Sequence, residues 1–213
     1  MHGRTVSKEI DPGRFLRLMR EGIGSVAVDL PGHGDRCIPA LQSAPRALEV
    51  VERMAGEVDA VVDAVCALGG FDASRCAIGG MSAGGMAAII RLLTPHPFCA
   101  AALESTVGDW EALRGRELDD PTRIDRLNPI ERLDGWRSIP LLVLHNEGDQ
   151  WAPVDAQRCF VAAIRARASK PEIVEMHEFR ETGAPAEHAG FGRFGAQAKT
   201  IHTEFLTRAF GLH

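Results

Sequence analysis

The apolar run Arg75-Cys76-Ala77-Ile78-Gly79 leads directly into Gly80-Met81-Ser82-Ala83-Gly84-Gly85, and apolar residues at helical spacing continue to Leu93. No other stretch narrows the possible fold as much. A buried strand can turn at once into a helix only where small residues let the backbone fold sharply without clashes. The residue at the apex of such a turn holds its side chain clear of the main chain, which is what a nucleophilic serine requires. A bare Gly-x-Ser-x-Gly arises often by chance. Here the strand before it and the helix after it supply the required context, and Ser82 is read as the nucleophile. The N-terminus of that helix also presents positive backbone dipole beside the serine, which favours a developing oxyanion.

The rest of the chain has the same alternation. Short apolar runs predict strands over residues 24–30, 75–79, 98–103, 139–145 and 173–179. Helical periodicity predicts helices over 46–68, 83–93, 154–168 and 196–210, with Gly69-Gly70 and Pro95 as stops. Leu141 to Leu144 are consecutively apolar, as expected of a strand covered on both faces. Strands alternating with helices imply an α/β fold, a three-layer α/β/α sandwich around a mostly parallel sheet. No repeat or low-complexity linker interrupts the 213 residues, so they are read as a single domain, 1–213. Residues 108–136, rich in Arg, Asp and Glu, read first as a solvated helical excursion. Their alternative reading is a small helical cap over the site.

The formal charge of −5 and pI near 5.9 supply no basic field for nucleic acid or anionic lipid, and neither is expected as a partner. No apolar run approaches the roughly 20 residues of a membrane span, and the first residues lack the apolar core of a secretory signal. The five cysteines are scattered with no C-x-x-C pair, so neither a disulfide framework nor a zinc site is expected, and Cys66, Cys76 and Cys99 read as small core residues. A reducing, cytoplasmic compartment fits this pattern best.

A serine hydroxyl needs a histidine to take its proton and a carboxylate to orient that histidine. In this type of fold the acid follows a later strand and the histidine follows the last one. Asp149 lies just past the run Leu141 to His145, with Glu147 and Asp155 as alternatives. His188 lies between the last strand and the last helix, whereas His177 falls within a strand and His202 within a helix, where it is read as a surface residue. His33, His145 and Asp35 lack metal-ligand spacing and read as loop-stabilising residues, so no metal or other cofactor is expected.

Four stretches together resemble the α/β-hydrolase superfamily: His2 to Glu9, Asp29-Leu30-Pro31-Gly32-His33-Gly34, Ile78 to Met86, and His145 to Pro153. Within it the chain looks most like small bacterial esterases of the dienelactone hydrolase and prolyl-oligopeptidase-like group. The resemblance implies that two backbone N–H groups, those of Arg4 and Ala83, form the oxyanion hole. It also implies a serine esterase acting on a small-molecule acyl substrate. Thioesterase, lactone hydrolase and peptidase activities are siblings on the same triad, and an inactive hydrolase-like binding protein is the alternative class. The family carries strands before its His-Gly loop, and here Met1 precedes that loop directly. The first strands are therefore expected to be missing, through an N-terminally truncated start or replacement by a partner subunit, which leaves a homo-oligomer open.

Overall fold

The computed structural model describes residues 1–212. Four parallel strands, β1 (Ala77–Met81), β2 (Ala100–Glu104), β3 (Leu141–Asn146) and β4 (Val174–Phe179), pair in that order. Six helices surround them: α1 (Pro12–Arg20), α2 (Ala47–Ala67), α3 (Ala83–Leu92), α4 (Pro121–Leu127), α5 (Val154–Arg167) and α6 (Gly195–Ala209). Alternation along the strands sorts the core into two parts. Ala101, Leu103, Leu141 and Val143 face α2, α3 and α5, together with Leu48, Met54, Ile89 and Phe160. Ala100, Ala102, Leu142 and Leu144 face α1 and α6, with Leu18, Phe205 and Leu206. β2 and β3 are buried along their whole length because both faces are covered. The three-layer arrangement and the parallel sheet follow the sequence pattern.

The segment 24–30 departs from it. Its apolar run predicts a strand, yet it pairs with no other strand. A strand exists only by exchanging N–H and C=O groups with a neighbour, and beside this segment lies part of a cavity of about 1600 Å³ that continues to Ser82. Leu30 donates its N–H to His2 Nε2 (3.0 Å), where a ladder would offer a carbonyl. Met1 bonds the outer edge of β1: its amine donates to the Gly79 carbonyl (2.9 Å) and Met81 N–H donates to its carbonyl (3.0 Å).

α1 lies outside the helices expected from the sequence: Phe15, Leu16, Leu18 and Met19 share one face, Asp11 caps it by accepting the Arg14 N–H (3.2 Å), and Pro12 pre-sets its first turn. Three smaller readings change. Residues 108–136 form short turns around α4, and Trp110, Leu113, Ile124 and Leu133 are buried in the main core, so the segment is anchored and not merely solvated. Cys66 is exposed and Cys76 and Cys99 half-buried, because apolar neighbours in sequence do not fix which way a small side chain faces. His202 is buried and not at the surface: its ring lies 3.1 Å from Glu104, within an Arg14–Glu104–His202 cluster between α1, β2 and α6.

Candidate active site

β1 ends at Met81, α3 begins at Ala83, and Ser82 occupies the turn between them with φ +51° and ψ −121°. A non-glycine residue in this region is strained and persists only when its surroundings hold it there. Three hydrogen bonds do so. Ser82 N–H donates to the Glu104 carbonyl (2.9 Å), and the Ser82 carbonyl accepts from Met86 N–H (2.9 Å) and the Thr106 hydroxyl (3.0 Å). Glycine is required at 80, since a Cβ there would sit 2.4 Å from the Gly84 backbone.

The structure brings Ser82, His188 and Asp149 together. Ser82 Oγ lies 2.8 Å from His188 Nε2, and His188 Nδ1 lies 2.9 and 2.8 Å from the two Asp149 carboxylate oxygens. Trp151 N–H (2.9 Å) and Ala152 N–H (2.8 Å) donate to Asp149 Oδ1, which fixes the carboxylate. The alternatives are engaged elsewhere: Glu147 with Arg180, Asp155 with Arg158, and His177 near Glu175. His33 Nδ1 bonds the Pro31 carbonyl, Asp35 pairs with Lys8, and His145 Nε2 bonds the Ala152 carbonyl. Among the described residues, no three His, Cys, Asp or Glu side chains gather as a metal cluster.

The sequence reading passed over several residues that hold this arrangement. Asn146, at the end of β3, donates from Nδ2 to the carbonyls of Glu187 (2.7 Å) and Gly190 (2.8 Å), gripping the loop on both sides of His188. Glu187 accepts from the Thr182 hydroxyl (2.7 Å), Thr182 N–H (2.9 Å) and Gly183 N–H (2.8 Å), and these bonds hold its carboxyl below the usual range. His145, which the sequence does mark as loop-stabilising, lies 3.7 Å from Asp149 and braces the acid loop through Ala152. Burial pushes its pKa down, so the ring is favoured neutral. An asparagine or glutamate in a Gly-rich loop carries no sequence signal for such contacts.

On the opposite side of Ser82, Gly3 approaches so closely that a Cβ there would lie 3.3 Å from Ser82 Cβ. His2 sets the peptide that follows. Its Nε2 accepts from Leu30 N–H, so its proton resides on Nδ1, which donates to the Gly3 carbonyl (2.6 Å). Burial lowers the His2 pKa, and the neutral ring this favours is the form that both bonds need. In a trans peptide the carbonyl and the next N–H point opposite ways. Clamping the Gly3 carbonyl therefore turns Arg4 N–H away from His2. The Arg4 side chain is drawn off to the Gln42 carbonyl (2.9 Å).

A parallel sheet whose first strand delivers a strained serine to a helix N-terminus, with histidine and carboxylate on later loops, defines a hydrolase of the α/β type. The chain belongs to the alpha/beta hydrolase family, whose model matches residues 1–202. Among solved structures it is similar to TT1662 from Thermus thermophilus, at 19% identity and a TM-score of 0.79, covering 100% of this chain and 88% of that one. The Pyrococcus furiosus esterase Pf2001 aligns at 18% identity and a TM-score of 0.71, covering 99% and 82%. A Mycobacterium tuberculosis puromycin-hydrolyzing peptidase aligns at 19% and 0.63, covering 75% of this chain and 26% of the larger protein. No curated protein matches. Among the described residues no helix is long and apolar enough to cross a membrane.

Proposed function

We propose that this protein is a serine hydrolase that cleaves a carboxylic ester through an acyl-enzyme on Ser82. The observation that carries the reading is the unbroken relay from Ser82 Oγ through His188 to Asp149, each link within 2.9 Å. His188 Nε2 takes the Ser82 proton as Oγ bonds to the ester carbonyl carbon. Asp149 holds the ring by Nδ1 and stabilises the imidazolium that forms. The carbonyl oxygen becomes an oxyanion, received by the N–H groups of Ala83 and Arg4. The imidazolium gives its proton to the departing alkoxide, and the C–O bond breaks. Water, deprotonated in turn by His188, attacks the acyl-enzyme, releases the carboxylic acid and restores Ser82. Leu113 and residues 115–118 line the same cavity as Ser82, so the 108–136 excursion serves as the wall of the acyl pocket.

Hydrolysis of short-chain nitrophenyl esters by the wild type and Ser82→Ala tests the reading. The variant should lose about 10⁴-fold or more in kcat. A serine-directed phosphonate should label Ser82 with unit stoichiometry. Equal turnover by the two proteins, or labelling at another residue, would refute it.

A further inference from the structure

Trp151 is 46% exposed, an unfavourable position for an indole with so much apolar surface. Other large apolar side chains are equally open, but the Trp151 ring is the one among them that packs against the triad histidine. Its centroid lies 4.9 Å from that of His188, with the planes inclined at 48°. Its backbone is pinned by the N–H bond to Asp149, and Gln150 N–H beside it donates to the Ala186 carbonyl (3.1 Å). The acid loop therefore fixes where the indole stands while leaving one flank of the ring uncovered. Trp151 borders the same cavity as Ser82 and His188.

Acyl transfer gives that position a meaning. His188 passes the serine proton to the leaving group, so the leaving group departs on the side where Nε2 stands. A ring packed beside this imidazole borders leaving-group space. We propose that Trp151 selects the leaving group, stacking a flat apolar ring such as a benzyl alcohol in preference to a puckered ring of equal size. The proposal rests on the acyl-enzyme reading above.

Benzyl acetate and cyclohexylmethyl acetate test it, because they form the same acyl-enzyme from primary alcohols of similar bulk. The wild type should favour the benzyl ester in kcat/KM by about threefold to tenfold, the range expected of one aromatic pair. Trp151→Leu, which keeps apolar bulk without a plane, should bring the ratio close to one, and Trp151→Phe should retain most of it. The acyl-side ratio, methyl phenylacetate over methyl cyclohexylacetate, should not change in Trp151→Leu. Phosphonate labelling rate at Ser82 and melting temperature verify that each variant keeps its fold and triad. A benzyl preference that persists in Trp151→Leu, or an equal fall in both ratios, overturns the role of Trp151 while leaving the triad intact. A wild type that neither turns over these esters nor labels at Ser82 overturns the acyl-enzyme reading and this inference with it.

Discussion

On one flank of Ser82, Asp149 and His188 hang from loops that leave β3 and β4, strands registered residue by residue from Leu141–Val174 to Asn146–Phe179. On the other flank, the loop that carries Gly3 and Arg4 rests on residues 24–30, which join no sheet. The strands of the first flank are held by main-chain ladders and buried apolar packing, and Asn146 and Glu187 then fix the His188 loop. The second is held mostly by polar side chains. Asp29 accepts from Lys8 N–H (2.8 Å), the Lys8 ammonium (3.0 Å) and Asp35 N–H (3.1 Å). Burial pushes the Asp29 carboxyl up, but these donors outweigh it and bring it to about 2. Glu104 behaves alike: burial raises it, and Arg14 with His202 brings it to about 2, tying α1 to β2. Ladder-held geometry is cooperative and insensitive to charge, whereas geometry held by a few polar side chains depends on each partner and on pH.

Four experiments would break or sharpen this contrast. The largest effect belongs to the ladder-held flank. Asp149→Asn keeps the loop but loses the negative charge and the tautomer it selects, and ester kcat should fall about 10⁴-fold. A fall below tenfold would show that His188 is oriented by something else. Next is Gly3→Ala, which places a methyl 3.3 Å from Ser82 Cβ. The loop must yield by a few tenths of an ångström, and kcat should drop by about 10²-fold if the Arg4 N–H serves as the proposed oxyanion donor. Unchanged kcat would mean that this flank is soft enough to absorb the methyl.

Thr106→Val then tests the strap between the flanks, since it deletes the hydroxyl donor to the Ser82 carbonyl. One hydrogen bond of about 1 kcal/mol corresponds to roughly fivefold in kcat, with Thr106→Ser restoring activity. Rescue failing with serine would assign the effect to packing. The smallest effect is in stability against pH. His2 and His145 both have folded pKa values depressed below 6.5 by burial, so the fold favours their neutral forms. Below pH 6.5 the unfolded chain binds protons that the folded chain resists. The stability these two rings contribute is thus full above pH 6.5 and declines as the medium is acidified through the depressed values. Melting temperature should fall between pH 7.5 and 5, by about 2–4 °C for each kcal/mol lost. His2→Gln, which removes a ring from the polar flank, should flatten that fall more than a substitution on the exposed face of α5. A fall that His2→Gln leaves unchanged would remove the electrostatic role assigned to the flank that His2 holds.

Much of the site was legible in the sequence because its elements are local. The strand–serine–helix turn needs Gly80 and Ala83 within three residues of Ser82, and such spacing survives in one dimension. Asp149 and His188 were found by a rule of chain order, each just past an apolar run. The acid loop was visible; that Trp151 from it would pack against His188 was not, since side-chain direction past a turn depends on what the turn packs against. Asn146, Glu187 and Thr106 gave no signal, because a single polar residue acquires a task only from the backbone groups that folding places beside it.

Residues 24–30 mark the other boundary. Hydrophobic patterning placed Leu30 in the core and determined the parallel α/β architecture around Ser82, although Gly24 to Val26 of the same apolar run stay exposed. Whether the segment became a strand depended on a neighbour able to exchange backbone hydrogen bonds with it, which is a property of the assembled sheet. Tertiary structure alone decided that side chains of Lys8, His2 and Asp29 would hold this flank of the site, because hydrogen-bond partners distant in sequence are specified by geometry and not by pattern.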